Sequence, residues 1–257
     1  MNLTVLSLLP LSALFVLMVI GCGGDSPEIE DMALLETPTI VASPSGGSPE
    51  IEDMALRRAL WSELNKPRGS EFTKDELLDV TRLEFGPNDT GGVQLKSLKG
   101  IEALENLVAL SLKDTQVTDI SSLSELQNFR YLRINNNYGG EIGEPIDLAP
   151  LSGLSNLEQL MILMSKTSDI SPLAGLKKLH LLQVHLTRVS DISAVAGLPA
   201  LNEVSLHAGF VYDFAPLLES GLGTGDSIKI VGKWQQDTNG PDVVNALAER
   251  GVGCSCP

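Results

Sequence analysis

Apolar positions in this chain recur in a fixed block, L-x-x-L-x-x-L-x-L, headed by Leu77, Leu104, Leu126, Leu154, Leu176, Leu198 and Leu222. The intervals between heads are 27, 22, 28, 22, 22 and 24 residues, so 22 is the base period and the longer intervals carry insertions. Leu104, Leu107, Leu110 and Leu112 fill the block completely; Leu176, Leu179, Leu182 and Val184 repeat it. A fixed period of this length describes one supersecondary unit stacked on itself, with the stack burying a core that no single unit can bury. The alternating end of each block predicts a short strand with its apolar residues inward and their neighbours outward. Farther along come Asp119-Ile120-Ser121, Asp169-Ile170-Ser171-Pro172 and Asp191-Ile192-Ser193, with weaker copies at Asp147 and Asp213. An aspartate before a short apolar turn that accepts proline predicts an N-capped 3₁₀ turn. Each unit is then a strand, a corner, a short helical turn and a second corner.

The pattern changes at both ends. No charged side chain occurs in the first 21 residues, and Leu3 to Ile20 is almost continuously apolar. Such a stretch is long enough for an uncleaved anchor helix. Pro10 interrupts it, however, and Val19-Ile20-Gly21-Cys22 resembles the bacterial lipobox, although no Lys or Arg follows Met1. The preferred reading is a lipoprotein signal peptide over 1–21 with Cys22 as the lipidated residue. Both readings put the rest of the chain outside the cytoplasm, on the bacterial cell envelope.

Residues 25–56 hold eight acids and neither Lys nor Arg, and the segment Ser26 to Leu34 reappears verbatim as Ser48 to Leu56. Charged, broken by proline and poor in aromatics, residues 22–48 are expected to be an acidic flexible tether. A net charge of −15 argues against a nucleic-acid partner, which requires a basic surface. Beyond Cys22 the only cysteines are Cys254 and Cys256, expected to lie in a frayed tail.

Repeats of 22 residues in which D-I-S-P-L-A-G-L (Asp169 to Leu176) follows an L-x-x-L-x-L strand resemble the internalin-like leucine-rich repeats of bacteria. Residues 50–83 resemble the helical cap of exported members, with a helix from about Glu50 to Leu64 and a capping box at Thr73-Lys74-Asp75-Glu76. Pro241 to Val252 resembles the helix that closes such proteins. The fold implied is α/β: a right-handed leucine-rich repeat solenoid with a curved parallel sheet, 3₁₀ turns on the convex side, and helical N- and C-terminal caps. The expected divisions are a first cap over 49–82, repeats over 83–233 and a closing cap and tail over 234–257. The resemblance also implies a protein-binding scaffold and names no ligand. Where the family places asparagine, this chain has Asn88, Thr115, Asn137, Ser165, Thr187, Gly209 and Lys233, so the ladder should be less regular toward the C-terminus.

Outward strand positions of stacked rungs form a concave face. Those that carry the expected ligand contacts are Tyr131, Arg133, Met161, Leu163, Met164, Leu181, His185, Leu186 and His207, with Phe210 on the following loop. Nothing in the repeat requires Met161, Leu163, Met164, Leu181 or Leu186 to be apolar, because Leu160, Ile162, Leu182 and Val184 already fill the core columns. Exposed apolar side chains in one place suggest a contact surface; the alternative is a cover formed by the insertion around Tyr138 to Glu141. A carbohydrate or envelope-polymer receptor using Tyr131, Tyr138, Phe210 and Trp234 is the second reading. A metal-dependent enzyme built on His185 and His207, which are 22 residues apart and share a column, is a distant third. No nucleophile elbow, paired metal motif or phosphate loop occurs. The sequence therefore predicts a monomeric, cofactor-free binding protein whose partners are an unidentified protein and, through the lipid, a membrane.

Overall fold

Every leucine that heads a repeat is buried in the computed structural model, which describes residues 50–86, 93–136, 142–207, 209–231 and 238–255. Among the described residues, eight strands form one open parallel sheet in strict chain order. They are β1 (Arg82–Phe85), β2 (Ala109–Lys113), β3 (Tyr131–Asn135), β4 (Gln159–Leu163), β5 (Leu181–His185), β6 (Glu203–His207), β7 (Ser227–Val231) and β8 (Gly253–Ser255). Each pairs only with its sequence neighbours, as expected when one period advances the chain by one rung. Inward positions Leu110, Leu132, Leu160, Leu182, Val204 and Ile228 align in register, and all are buried.

Short 3₁₀ turns return the chain between strands at Ile101–Ala103, Ser121–Leu123, Ala149–Leu151, Ser171–Gly175, Ser193–Gly197 and Ala215–Glu219. The aspartates lie one residue earlier than a capping position. Asp119 accepts from Ser121 N–H at 2.8 Å, and the same bond recurs at Asp147, Asp169, Asp191 and Asp213. These are Asx turns, and the capping position itself holds the apolar residue that packs inward, such as Ile120. Hydrogen bonds from Ser121 hold the Asp119 carboxyl below its ordinary pKa, and the backbone of Ser171 does so for Asp169. Rungs approach closely where the turns stack. A Cβ on Gly221 would lie 2.1 Å from the Pro199 carbonyl oxygen, so only glycine fits there.

The asparagine column is filled only in part, with one offset: Ser165 and Thr187 make hydrogen bonds, whereas the Thr115 hydroxyl meets no partner among the described residues. Thr115, Ser165 and Thr187 are buried, and the Ser165 and Thr167 hydroxyls lie 2.6 Å apart. Asn136, expected on the outer surface, is instead buried and donates to the Val117 carbonyl at 3.3 Å. It stands just before the insertion. Asn88, Asn137 and Lys233 lie outside the described residues.

The first cap has helix α1 (Met54–Glu63) and helix α2 (Lys74–Leu78), the latter opened by the reciprocal Thr73–Glu76 capping box. Lys66 and the Thr73 N–H both bond the Glu76 carboxylate and lower its pKa to about 2. Helix α1 begins at Met54, later than the expected Glu50, because Asp53 caps it. One oxygen of Asp53 accepts from Ala55 and Leu56 N–H, while the other accepts from Lys96 and Ser97 N–H of the first repeat at 3.0 and 3.2 Å. A single carboxylate thus joins cap to repeats. Asp53→Ala is expected to destabilise the protein by about 2 kcal/mol, the upper end for loss of an N-cap, with Asp53→Asn losing less. Urea unfolding of the two variants checks this; equal stability of Asp53→Ala and wild type would mean the latch carries nothing.

At the far end, α3 (Gly240–Glu249) packs against the last 3₁₀ turn and β8. The expected frayed tail is corrected here. Residues 253–255 add the edge strand β8 to β7, with Gly253 N–H donating to the Asp226 carbonyl and Val252 buried beneath. Cys254 is disulfide-bonded; Cys22 and Cys256 lie outside the described residues.

Candidate functional site

Three columns of outward side chains cross the sheet. The strand-entry column runs Tyr131, Gln159, Leu181, Glu203; the middle column runs Ser111, Arg133, Met161, Gln183, Ser205. The strand-exit column runs Lys113, Asn135, Leu163, His185 and then His207. Alternation along each strand is therefore as the sequence predicts, but outward does not mean exposed. Met161 is only 7% exposed, and Leu181 and Tyr131 are buried as well. Neighbouring strands stand about 4.8 Å apart, so a long side chain in the middle column is flanked on both sides by others. Met161 lies between Arg133 and Gln183 in register. The expectation that Met161 and Leu181 belong to an open apolar patch, and that Tyr131 offers an open ring, is corrected accordingly.

On the sheet face the exposed apolar side chains among the described residues lie at the margin where strands end. Leu163 and Met164 are half-buried, Leu186 is 40% exposed and Phe210 49%. Tyr212, at 56%, is exposed as well, just before the Asx turn of Asp213. It was not singled out in the sequence, although the run Phe210-Val211-Tyr212, with Val211 buried, has the period of two that turns both rings outward. The insertion offered as a cover, Tyr138 to Glu141, lies outside the described residues, as do Trp234 and Cys22.

Backbone conformation singles out the same margin. Asp114, Met164 and Leu186 leave their strands in the left-handed region, at φ 53°, 53° and 52°. Met164 N–H donates to the His185 carbonyl, so the ladder continues through the bend. Aspartate tolerates this conformation; for leucine and methionine it costs about 1–2 kcal/mol. Leu186 therefore combines backbone strain with exposure of an apolar side chain.

His185 and His207 are neighbours, as the period demands. The His185 Nε2 lies 2.6 Å from the Ser205 hydroxyl, and burial, aided by Lys229 and His207, pushes its pKa down to about 4. It is neutral at pH 7. Among the described residues, no group of three or more His, Cys, Asp or Glu side chains is placed to hold a metal ion.

Arg133 is the other unusual feature. Its Nε is shielded from solvent and has no hydrogen-bond partner among the described residues, and desolvation lowers its pKa, opposed by Glu84. Glu84 itself pairs with Lys113 at 3.0 Å. The hydroxyl of Ser111, the Oδ1 of Asn135 and the Oε1 of Gln159 are likewise buried and unpartnered. Ser111 is the register partner of Arg133; Asn135 lies two residues farther along β3, and Gln159, opposite Tyr131, lies diagonally from Arg133 toward the start of β4.

Among solved structures the chain is similar to an internalin, InlF, from Listeria monocytogenes. Identity is 29% over 70% of this chain and 51% of that one, at a TM-score of 0.61. It is also similar to internalin C2 (InlC2) from the same organism, with 23% identity over 84% of this chain and 100% of that one, at a TM-score of 0.56. The chain thus spans about half the length of InlF. No family model and no curated protein matches it.

Proposed function

We propose that this chain, an internalin-like leucine-rich repeat protein, is a lipid-anchored scaffold of the bacterial cell envelope. It faces outside the cytoplasm and binds a protein partner through the strand-exit margin of its concave sheet. The observation that carries the reading is Leu186, a leucine in a strained backbone conformation with its side chain exposed. Glycine, asparagine or aspartate would reduce both costs, and a fold retains such costs mainly where contact repays them. Met164 repeats the strain one rung away, and Phe210, in the segment that follows β6, is exposed as well.

In this reading residues 1–21 are removed, Cys22 carries the lipid and 22–48 form the tether. Residues 49–82 cap a repeat array over 83–233 that 234–257 close, and the protein works as a monomer without a cofactor. The anchoring part rests on the Val19 to Cys22 motif alone and is tested by itself. Cys22→Ser is expected to abolish fatty-acid labelling and release the protein from membranes; labelling that survives the substitution removes the lipid anchor from the proposal. The binding part is tested by cross-linked capture with the full-length chain beside Leu186→Asp and Phe210→Asp. Capture lost in both, at unchanged melting temperature, supports the margin as the contact surface. Partners retained by both variants would place the contact elsewhere.

A further inference from the structure

The strand-exit margin accounts for the apolar surface but leaves Arg133 unexplained. In a chain with 33 acids and 18 bases, Arg133 is half-buried and meets no carboxylate among the described residues. Elsewhere cations reach acids readily, as in Lys66–Glu76, Lys74–Glu105, Arg130–Glu158 and Lys166–Glu144. Arg133 makes no ion pair among the described residues, and the acid that reaches it by charge, Glu84, is bonded to Lys113. A partly desolvated cation without a partner is costly, and the cost is recovered when an anion arrives.

The groups beside it define what that anion is attached to. Ser111 is buried with its hydroxyl unpartnered, next to Arg133 in register, and adds a donor. Asn135, two residues along β3, and Gln159, on β4, each hold an acceptor oxygen with no donor. Donors for a carboxylate flanked by acceptors for N–H groups match an acidic residue within an extended peptide, whose side chain accepts while its backbone donates. The net charge of −15 opposes a polyanion at long range, which selects one carboxylate in an otherwise uncharged segment. Leu163 is the register partner of Asn135, so the apolar margin begins beside this cluster and gives such a segment a continuous footing.

We infer that Arg133, with Ser111, Asn135 and Gln159, forms a socket for a single Asp or Glu side chain of an extended segment of the protein partner. The inference rests on the concave-face reading above and adds the chemistry of one anchor. The planar guanidinium can pair with the carboxylate bidentately, end-on through its two Nη groups or side-on if the side chain turns its shielded Nε–H toward the ligand.

Selection of random dodecapeptides displayed on phage against the full-length chain tests it. Peptides bound by the wild type are expected to share one Asp or Glu. Changing that residue to its amide should weaken binding on the order of tenfold or more, the scale of a charge-assisted pair. Arg133→Gln should cause the same loss and make the peptide's amide substitution inconsequential. Arg133→Lys should restore only part, and Arg130→Gln, which removes a nearby paired cation, should change nothing. Because Arg133 is unpaired, Arg133→Gln should melt no lower than wild type, which separates a binding role from a structural one. Peptides without a shared acid, or an amide penalty equal on wild type and Arg133→Gln, overturn the socket. Binders sensitive to Leu186→Asp but indifferent to Arg133→Gln leave the scaffold reading standing without it. Binders indifferent to both variants, or a library that yields none, remove both.

Discussion

A chain lacking residues 50–81 is expected to be recovered as aggregate, with no cooperative melting transition. The deleted segment supplies Ile51, Leu56, Leu60, Trp61, Phe72 and Leu77 to the continuous core. It closes the open end of a stack whose first rung presents Leu83, Leu98, Ile101 and Leu104. The fit over that end is close: a Cβ on Gly100 would lie 2.9 Å from the Glu50 carbonyl and the Ile51 backbone. Repeat arrays distribute stability among units and their interfaces, and an uncapped terminal rung exposes a full cross-section of core. Substituting one latch residue, Asp53, removes hydrogen bonds; deleting the cap removes a hydrophobic layer. Solubility, light scattering and calorimetry of the truncated chain decide the matter. A monomeric truncated protein with a cooperative transition near the wild-type temperature would show that the repeats cap themselves.

Leu182→Ala and Leu160→Ala are each expected to lose about 2–5 kcal/mol, whereas the Leu163→Asp, Leu186→Asp pair should leave the melting temperature near wild type. Leu160 and Leu182 are fully buried and occupy one inward column, so truncation opens a cavity between rungs. Leu186 is exposed and strained, and a shorter polar residue there surrenders little buried area. Met161 discriminates further. It points away from the core yet is buried, so Met161→Ala should cost stability despite its outward position. If the aspartate pair melts as low as Leu182→Ala, the strand-exit margin is covered in the intact protein and cannot be a contact surface.

Much of this architecture was legible in the sequence because leucine spacing reports the rung directly. The strands, their register, the position of each 3₁₀ turn and the Thr73–Glu76 box all depend on residues within one repeat of each other, whereas the aspartates proved to form Asx turns and not caps. What local pattern does not carry is the consequence of stacking. Period-two alternation states that Met161 and Leu181 point outward, but their burial comes from side chains on adjacent rungs. The turn of Asn136 into the interior depends on where the insertion falls, and β8 depends on β7 being free to accept it. The strain at Met164 and Leu186 has no sequence signal, since neither residue favours that backbone region. Arg133 was expected on the face, but its isolation shows only once Glu84 is seen committed to Lys113.

The latch at Asp53 also sets how the molecule yields to force. The chain enters the fold at Ile51 and Asp53, so tension applied from the N-terminal side loads those contacts before any strand. Once they part, the cap peels and the array unzips from its first rung, because each strand is held only by its neighbours. Every 22-residue rung released lengthens the chain by on the order of 70 Å, the reach of its extended backbone. A protein so arranged would behave under load as a stepwise extensible spring with its trigger at the end where the pull arrives.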